Sequence, residues 1–196
     1  MDIANAKRSW LIPALGLTQI VGWGSMFYAY GVLMQPMESE LQTSRSVVVG
    51  AYSIALLISG CLSTLAGAII DRIGGRLLMG AGTLLAAAML VLLSNVQSIL
   101  ELYLAWAGIG IAMSATLYQS SFAVLTQVFG TGYRRAITAL TLFGGFASTV
   151  FWPLTQALSD HVGWRETWLI YAALNLLHKS TCLLYTSDAA DDSLRV

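Results

Sequence analysis

Gly67-Ala-Ile-Ile-Asp71-Arg72-Ile-Gly74-Gly75-Arg76 lies between two long apolar runs, 46–70 and 77–100, that hold no Asp, Glu, Lys, Arg or His. A stretch of about 18 or more such residues is long enough to cross the hydrocarbon of a bilayer as a helix. The ten residues therefore read as a very short polar hairpin between two membrane helices. Three charges, Asp71, Arg72 and Arg76, crowd into six positions, and glycines supply the tight backbone.

The same pattern extends outward along the chain. Only 10% of the 196 residues are charged and 57% are hydrophobic, against about 25% charge in an ordinary soluble domain. Charge-free stretches run 9–37, 46–70, 77–100, 102–133 and 136–159, with a shorter one at 167–177. A helical span needs about 20 residues to cross about 30 Å of hydrocarbon, so the first five windows suffice and the last does not. The reading is a polytopic all-α membrane protein with spans at about 10–34, 46–70, 76–96, 99–128, 136–158 and an incomplete 167–181. Residues 1–9 precede the first span. Lys7 and Arg8 before an apolar run superficially suggest a signal peptide, but the run is too long for an h-region and no small-residue cleavage site closes it.

Basic residues fall on alternate sides. Lys7, Arg8, Arg72, Arg76, Arg134, Arg135 and Lys179 lie on one side, and only Arg45 and Arg165 on the other. Cytoplasmic loops carry the excess of Lys and Arg, so the N-terminus and the Asp71 hairpin are expected in the cytoplasm, with a bacterial inner membrane as the expected location. Formal net charge is zero, which leaves nothing to attract nucleic acid. Cys61 and Cys182 have no spacing that suggests a metal site or a disulfide framework. Small residues along the second span (Gly50, Ser53, Ser59, Gly60, Ser63 and Gly67) permit close helix contact, which in lipid takes over from the hydrophobic drive.

The hairpin resembles the signature loop between helices two and three of the major facilitator superfamily, G-x-x-x-D-R-x-G-R-[RK]. Gly67, Asp71, Arg72, Gly74 and Arg76 match at the right spacing, and Gly75 departs, standing where the first basic residue of the final pair belongs. The resemblance covers about residues 8–180. It implies the six-transmembrane-helix bundle that forms the N-terminal half of a twelve-helix carrier, whose two halves are related by an axis along the membrane normal. The Trp23/Tyr28/Tyr30 region and Gly163-Trp-Arg165 look like the branch that carries monocarboxylates and related organic anions. From Cys182, the stretch Cys-Leu-Leu-Tyr-Thr-Ser-Asp-Ala-Ala-Asp-Asp192 resembles the translated read-through of a sequencing adapter. Residues 182–196 are therefore expected to be foreign to the protein, with the sixth span cut at His178-Lys179.

A membrane enzyme would need paired acids, a His cluster or a nucleophile with its base. The two histidines, His161 and His178, sit in a loop and at the break, so no catalytic residue, metal or cofactor is expected. Spans one to five also lack the intramembrane ionisable residue that marks a proton relay or a counter-charge. For a proton-coupled or anion-selective carrier that group is expected in the missing C-terminal half, and the alternative is a facilitator working through polar and aromatic contacts. By resemblance the transport path runs between the halves, along helices one, two, four and five. On span one, Gln19, Trp23, Phe27 and Tyr30 follow helical spacing on one face. Tyr52 on span two, Ser114, Tyr118 and Gln119 on span four, and Thr141 and Trp152 on span five complete the candidate cavity set. Interface belts of Tyr and Trp, and hydroxyls bonded to their own helix, are the plainer reading for each. By resemblance, Asp71 faces the N-terminal end of a helix in the opposite half, where free N–H groups favour an anion, and Arg72 and Arg76 complete a latch. The expected partners are thus the bilayer, a small solute with an organic anion as candidate, a proton as candidate coupling ion, and the missing half. A non-transporting sensor or assembly protein on the same scaffold is the alternative, and a soluble signalling domain downstream would support it.

Overall fold

The computed structural model describes residues 3–177, with backbone alone at 3–10, 76, 127 and 131. The expected adapter-like tail and the His178-Lys179 break lie outside the described residues. All regular structure among the described residues is helical. Helix α1 (Ile3–Trp23), a π-turn (Gly24–Tyr28) and α2 (Ala29–Glu40) run into one another and carry the first span. They are followed by α3 (Arg45–Ile73), α4 (Gly75–Ser94), α5 (Ile99–Thr116), α6 (Tyr118–Phe129), a 3-10 turn (Gly130–Gly132), α7 (Tyr133–Val162) and α8 over 164–177. Among the described residues, four stretches are long and apolar enough to cross a membrane: Arg45–Ile73, Leu77–Ser94, Ile99–Thr126 and Tyr133–Val162. The first span and α8 are not among these four.

Two expectations need correction. The first span, expected to end at about 34, continues in α2 through Pro36 to Glu40. Leu33 and Met37, both fully buried, hold those last turns against the bundle. Span four, expected as one helix over 99–128, breaks at Leu117, whose backbone is extended (φ −80°, ψ −162°). Neither Pro nor Gly sits at the break. Hydroxyl side chains stand there instead, and Ser120 Oγ donates to the Ser114 carbonyl at 2.9 Å. A break at membrane depth is tolerated where the freed backbone groups are satisfied again, and the Ser120 bond does this for one of them.

Helix α5 is enclosed by α3 and α4, and α1 lies along α7. Its buried set, from Leu102 through Trp106, Ile109 and Ala112 to Thr116, covers most of its circumference, as expected of a helix apolar all round. Helix α3 meets it through Val48, Ala51 and Ala55, all fully buried. Gly110 makes the approach possible: a Cβ there would meet the backbone of Ala55, with Cα only 2.8 Å away. The small residues further along α3 do not act this way. Gly60 and Gly67 have open space where a side chain would stand, and the packed positions there are Ala66 and Ile70.

The core has two parts. A large cluster, with Met26, Leu33, Leu90, Trp106 and Trp168 among its members, fills the end away from the Asp71 hairpin. A smaller one of Leu11, Leu15, Met79, Leu125, Ala136 and Leu140 lies at the hairpin end.

Candidate functional site

Four of the sequence-selected residues come together as one aromatic wall across spans one, two and four. Tyr30 and Tyr52 stack with ring centres 3.9 Å apart and planes 5° from parallel. Both stand edge-on to Trp106, at 5.4 and 5.1 Å. Phe27 links Tyr52, at 5.9 Å, to Trp23, at 5.1 Å. Trp23 in turn packs on Tyr118 at 4.9 Å, and Tyr118 stacks on Phe122. Offset and edge-to-face pairs at these separations are favourable, by about 0.5–1.5 kcal/mol each beyond area burial. Trp23, Phe27, Tyr52 and Tyr118 are half-buried, whereas Tyr30 is nearly enclosed. The Trp23 indole Nε1 is buried with no hydrogen-bond partner. Tyr118 lies over Gly144 of α7, where any Cβ would overlap its ring, and its hydroxyl donates to the Thr141 carbonyl at 3.3 Å.

The sequence missed the base of this wall. Trp106 and Trp168 are fully buried and stand 6.0 Å apart, edge to face. Both occupy apolar stretches in which one more aromatic residue gives no positional signal.

Gln19 is fully buried, and its amide Nε2 donates to the Thr116 carbonyl at 3.1 Å and to Ser121 Oγ at 2.7 Å. Both partners lie at the break in span four. Gln19 Oε1 is left without one. Ser114 is buried and donates to its own Ile111 carbonyl at 2.7 Å. Gln119 and Thr141 are exposed, the latter's hydroxyl bonded to Ile137 O. Trp152 projects from the exposed side of α7, with 56% of its surface accessible.

At the hairpin, Asp71 and Arg72 are exposed at the end of α3. Gly74 closes that helix with φ +83°, a conformation L side chains rarely adopt, and its N–H donates to the Ile70 carbonyl at 2.9 Å. Gly67 lies one turn before Asp71 in α3. The departure at Gly75 has a steric reason: a Cβ there would overlap Val124 of α6. Arg76 opens α4, its side chain outside the described set.

The opposite end carries a clasp that spacing alone did not reveal. The Glu40 carboxylate, at the end of α2, accepts from Trp164 Nε1 at 2.6 Å and from Arg165 Nε at 2.7 Å. Arg165 also donates Nη1 to the Ser94 carbonyl and Nη2 to the Val96 carbonyl, at 2.7 and 2.8 Å, while its guanidinium lies 4.3 Å over the Trp164 ring. One arginine thereby ties α2, the α4–α5 turn and α8 together. The Arg165 hydrogen bond, and after it the Trp164 one, hold the Glu40 carboxyl below its ordinary range.

The description of the Major Facilitator Superfamily matches residues 15–191, a range that runs into the expected tail. Among curated proteins, the chain is 24% identical over 174 residues to the uncharacterized MFS-type transporter YcxA of Bacillus subtilis, covering 85% of this chain and 41% of that protein. It is 31% identical to monocarboxylate transporter 3 of Rattus norvegicus, covering 79% of this chain and 33% of the relative. With human monocarboxylate transporter 7 the identity is 28%, over 75% of this chain and 28% of the relative. The chain thus spans less than half the length of the relatives it matches.

Proposed function

We propose, since this chain belongs to the major facilitator superfamily and is a multi-pass membrane protein, that it forms one half of a secondary carrier for small organic acids, monocarboxylates foremost. The observation that carries this reading is the aromatic wall. Trp23, Phe27, Tyr52 and Tyr118 form a continuous, half-accessible apolar surface drawn from three spans, and Trp23 Nε1 adds an unpaired donor beside it. A short acid presents a small apolar body and one polar end, which suits apolar walls with a few placed polar groups. The relatives named monocarboxylate transporters support the same class. A carboxylate at membrane depth needs a counter-charge. Residues 46–70, 77–100, 102–133 and 136–159 hold no ionisable Asp, Glu, Lys, Arg or His, so the cation and the coupling proton's carrier are assigned to the second half.

In this reading alternating access rocks the two halves about the path between them. The Asp71 hairpin faces the cytoplasm of a bacterial inner membrane and latches against the other half. Transport measurements on liposomes test the proposal, comparing the 196-residue chain with a complete carrier that extends it. The complete carrier is expected to take up a monocarboxylate saturably, faster with an inward proton gradient, and the shorter chain is expected not to. Saturable uptake by the 196-residue chain alone would overturn the half-carrier reading. Uptake of sugars or cations by the complete carrier, with no acid transported, would overturn the substrate class.

A further inference from the structure

The π-turn Gly24–Tyr28 interrupts span one at the level of the aromatic wall, and its residues Gly24, Ser25 and Met26 are buried. Its wider hydrogen bonding is seen where the Ala29 N–H donates to the Gly24 carbonyl, five residues back. Single π-turns within α-helices are often found at functional sites. This one is gripped from two sides. From α7, the Phe151 ring fills the space a Cβ of Gly24 would occupy. From α8, Asn175 Nδ2 donates to Ser25 Oγ at 2.9 Å and to its own Tyr171 carbonyl at 2.8 Å. Ser25 is fully enclosed, Asn175 is 5% exposed, and Ser25 Oγ donates onward to the Val21 carbonyl at 2.7 Å.

We propose that Asn175 is a positioning residue: through Ser25 it holds the π-turn and so sets the rotation of Trp23 relative to Phe27, Tyr28 and Tyr30. An α-helix advances about 100° and 1.5 Å per residue. Converting the π-turn to α-helix adds about one residue's worth of winding, and the two segments of span one would turn against each other by about that angle. In the structure Trp23 meets both Phe27, four residues on, and Tyr28, five residues on, at 5.1 and 6.5 Å. A π-turn brings the i+5 residue over the same face and accounts for the double contact. A buried amide without a partner is costly in apolar surroundings, so the Asn175–Ser25 pair favours the one register in which both are satisfied. Helix α8, which holds none of the candidate cavity residues, thereby reaches the aromatic wall. The bearing on substrate rests on the proposed function, but the tether and its effect on the wall do not.

The test uses the 196-residue chain in lipid nanodiscs, as wild type, Asn175→Leu and Ser25→Ala. Deuterium exchange follows peptides covering 21–30, with peptides covering α3 as reference. Fluorine NMR follows 5-fluorotryptophan, each resonance assigned by a Trp→Phe change. Both variants are expected to speed exchange at 24–29 by about fivefold or more, as the loss of one buried hydrogen bond allows, while α3 changes little. The Trp23 resonance is expected to move, and that of Trp152 to stay. Unchanged exchange at 24–29 overturns the tether. Exchange that quickens equally in α3 shows general loosening and overturns it too. Local exchange with an unmoved Trp23 resonance overturns the positioning role. If Asn175→Leu fails to insert, Ser25→Ala decides by the same readings. None of these outcomes depends on transport, so failure of the carrier reading would be seen separately.

Discussion

A single buried amide shows what a residue's surroundings add to its place in the sequence. Gln19 was selected by its helical spacing with Trp23, Phe27 and Tyr30, and as a polar side chain deep in an apolar run it needs partners. The structure supplies them from Thr116 and Ser121, across a break that no Pro or Gly announced. Gln19→Leu is therefore expected to cost about 1–3 kcal/mol, the range for stranding a buried acceptor. A fall in the detergent melting temperature, measured beside Trp152→Leu on the exposed side of α7, checks this. An unchanged melting temperature would return Gln19 to the cavity face. Trp23 and Tyr30 were singled out by helical spacing, and Tyr52 and Tyr118 by the spans that the family resemblance places along the path. Their contact with one another was not legible, because ring stacking across three spans depends on distances that no local pattern encodes.

The elements themselves were mostly legible, because each span is written as a charge-free run of fixed length and the ends fall at glycines or charges. What escaped was interior irregularity, namely the π-turn in span one and the Leu117 break in span four. At the Leu117 break Gln19, from another helix, satisfies the Thr116 carbonyl, and at the π-turn Asn175 of α8 bonds the Ser25 hydroxyl; neither contribution is visible within one span. The clasp between elements escaped for the same reason, with Glu40 and Arg165 lying 125 positions apart in the chain. Its test is a pH series. The Glu40 carboxyl is held below its ordinary range by Arg165 and then Trp164, so the folded form binds its proton less readily than the unfolded form. The stabilisation is therefore present above the unfolded pKa and is lost as pH falls through the folded one. Wild type is expected to melt above Glu40→Gln near neutral pH, and the gap should close below about pH 4. Arg165→Ala should lower the melting temperature more than Glu40→Gln, since it also releases the Ser94 and Val96 carbonyls. Equal melting temperatures for the two variants would show that those carbonyl bonds contribute nothing.

For the whole molecule, the expectations concern orientation and movement. Reporter fusions after Arg76 and after Glu101 are expected to report cytoplasm and exterior in turn, and an external Arg76 fusion would invert the topology. Asp71→Asn in a complete carrier is expected to lower the transport rate by about fivefold or more while substrate binding changes little, as for a contact that biases two states. A normal rate with normal insertion would count against the latch. The distribution of charge along the chain pointed on its own to a polytopic helical membrane protein, since every long charge-free run must cross lipid or be buried. The glycine and charge spacing of the hairpin determined the family resemblance, because a turn that short tolerates few residues. Only the tertiary structure decided that four aromatics share one wall, that Gly75 is bare because Val124 lies against it, and that Gln19 serves a broken helix. Those outcomes depend on which helix faces which. In lipid the facing is chosen by close packing and by pairing of buried polar groups, and both are properties of pairs of segments distant in the chain.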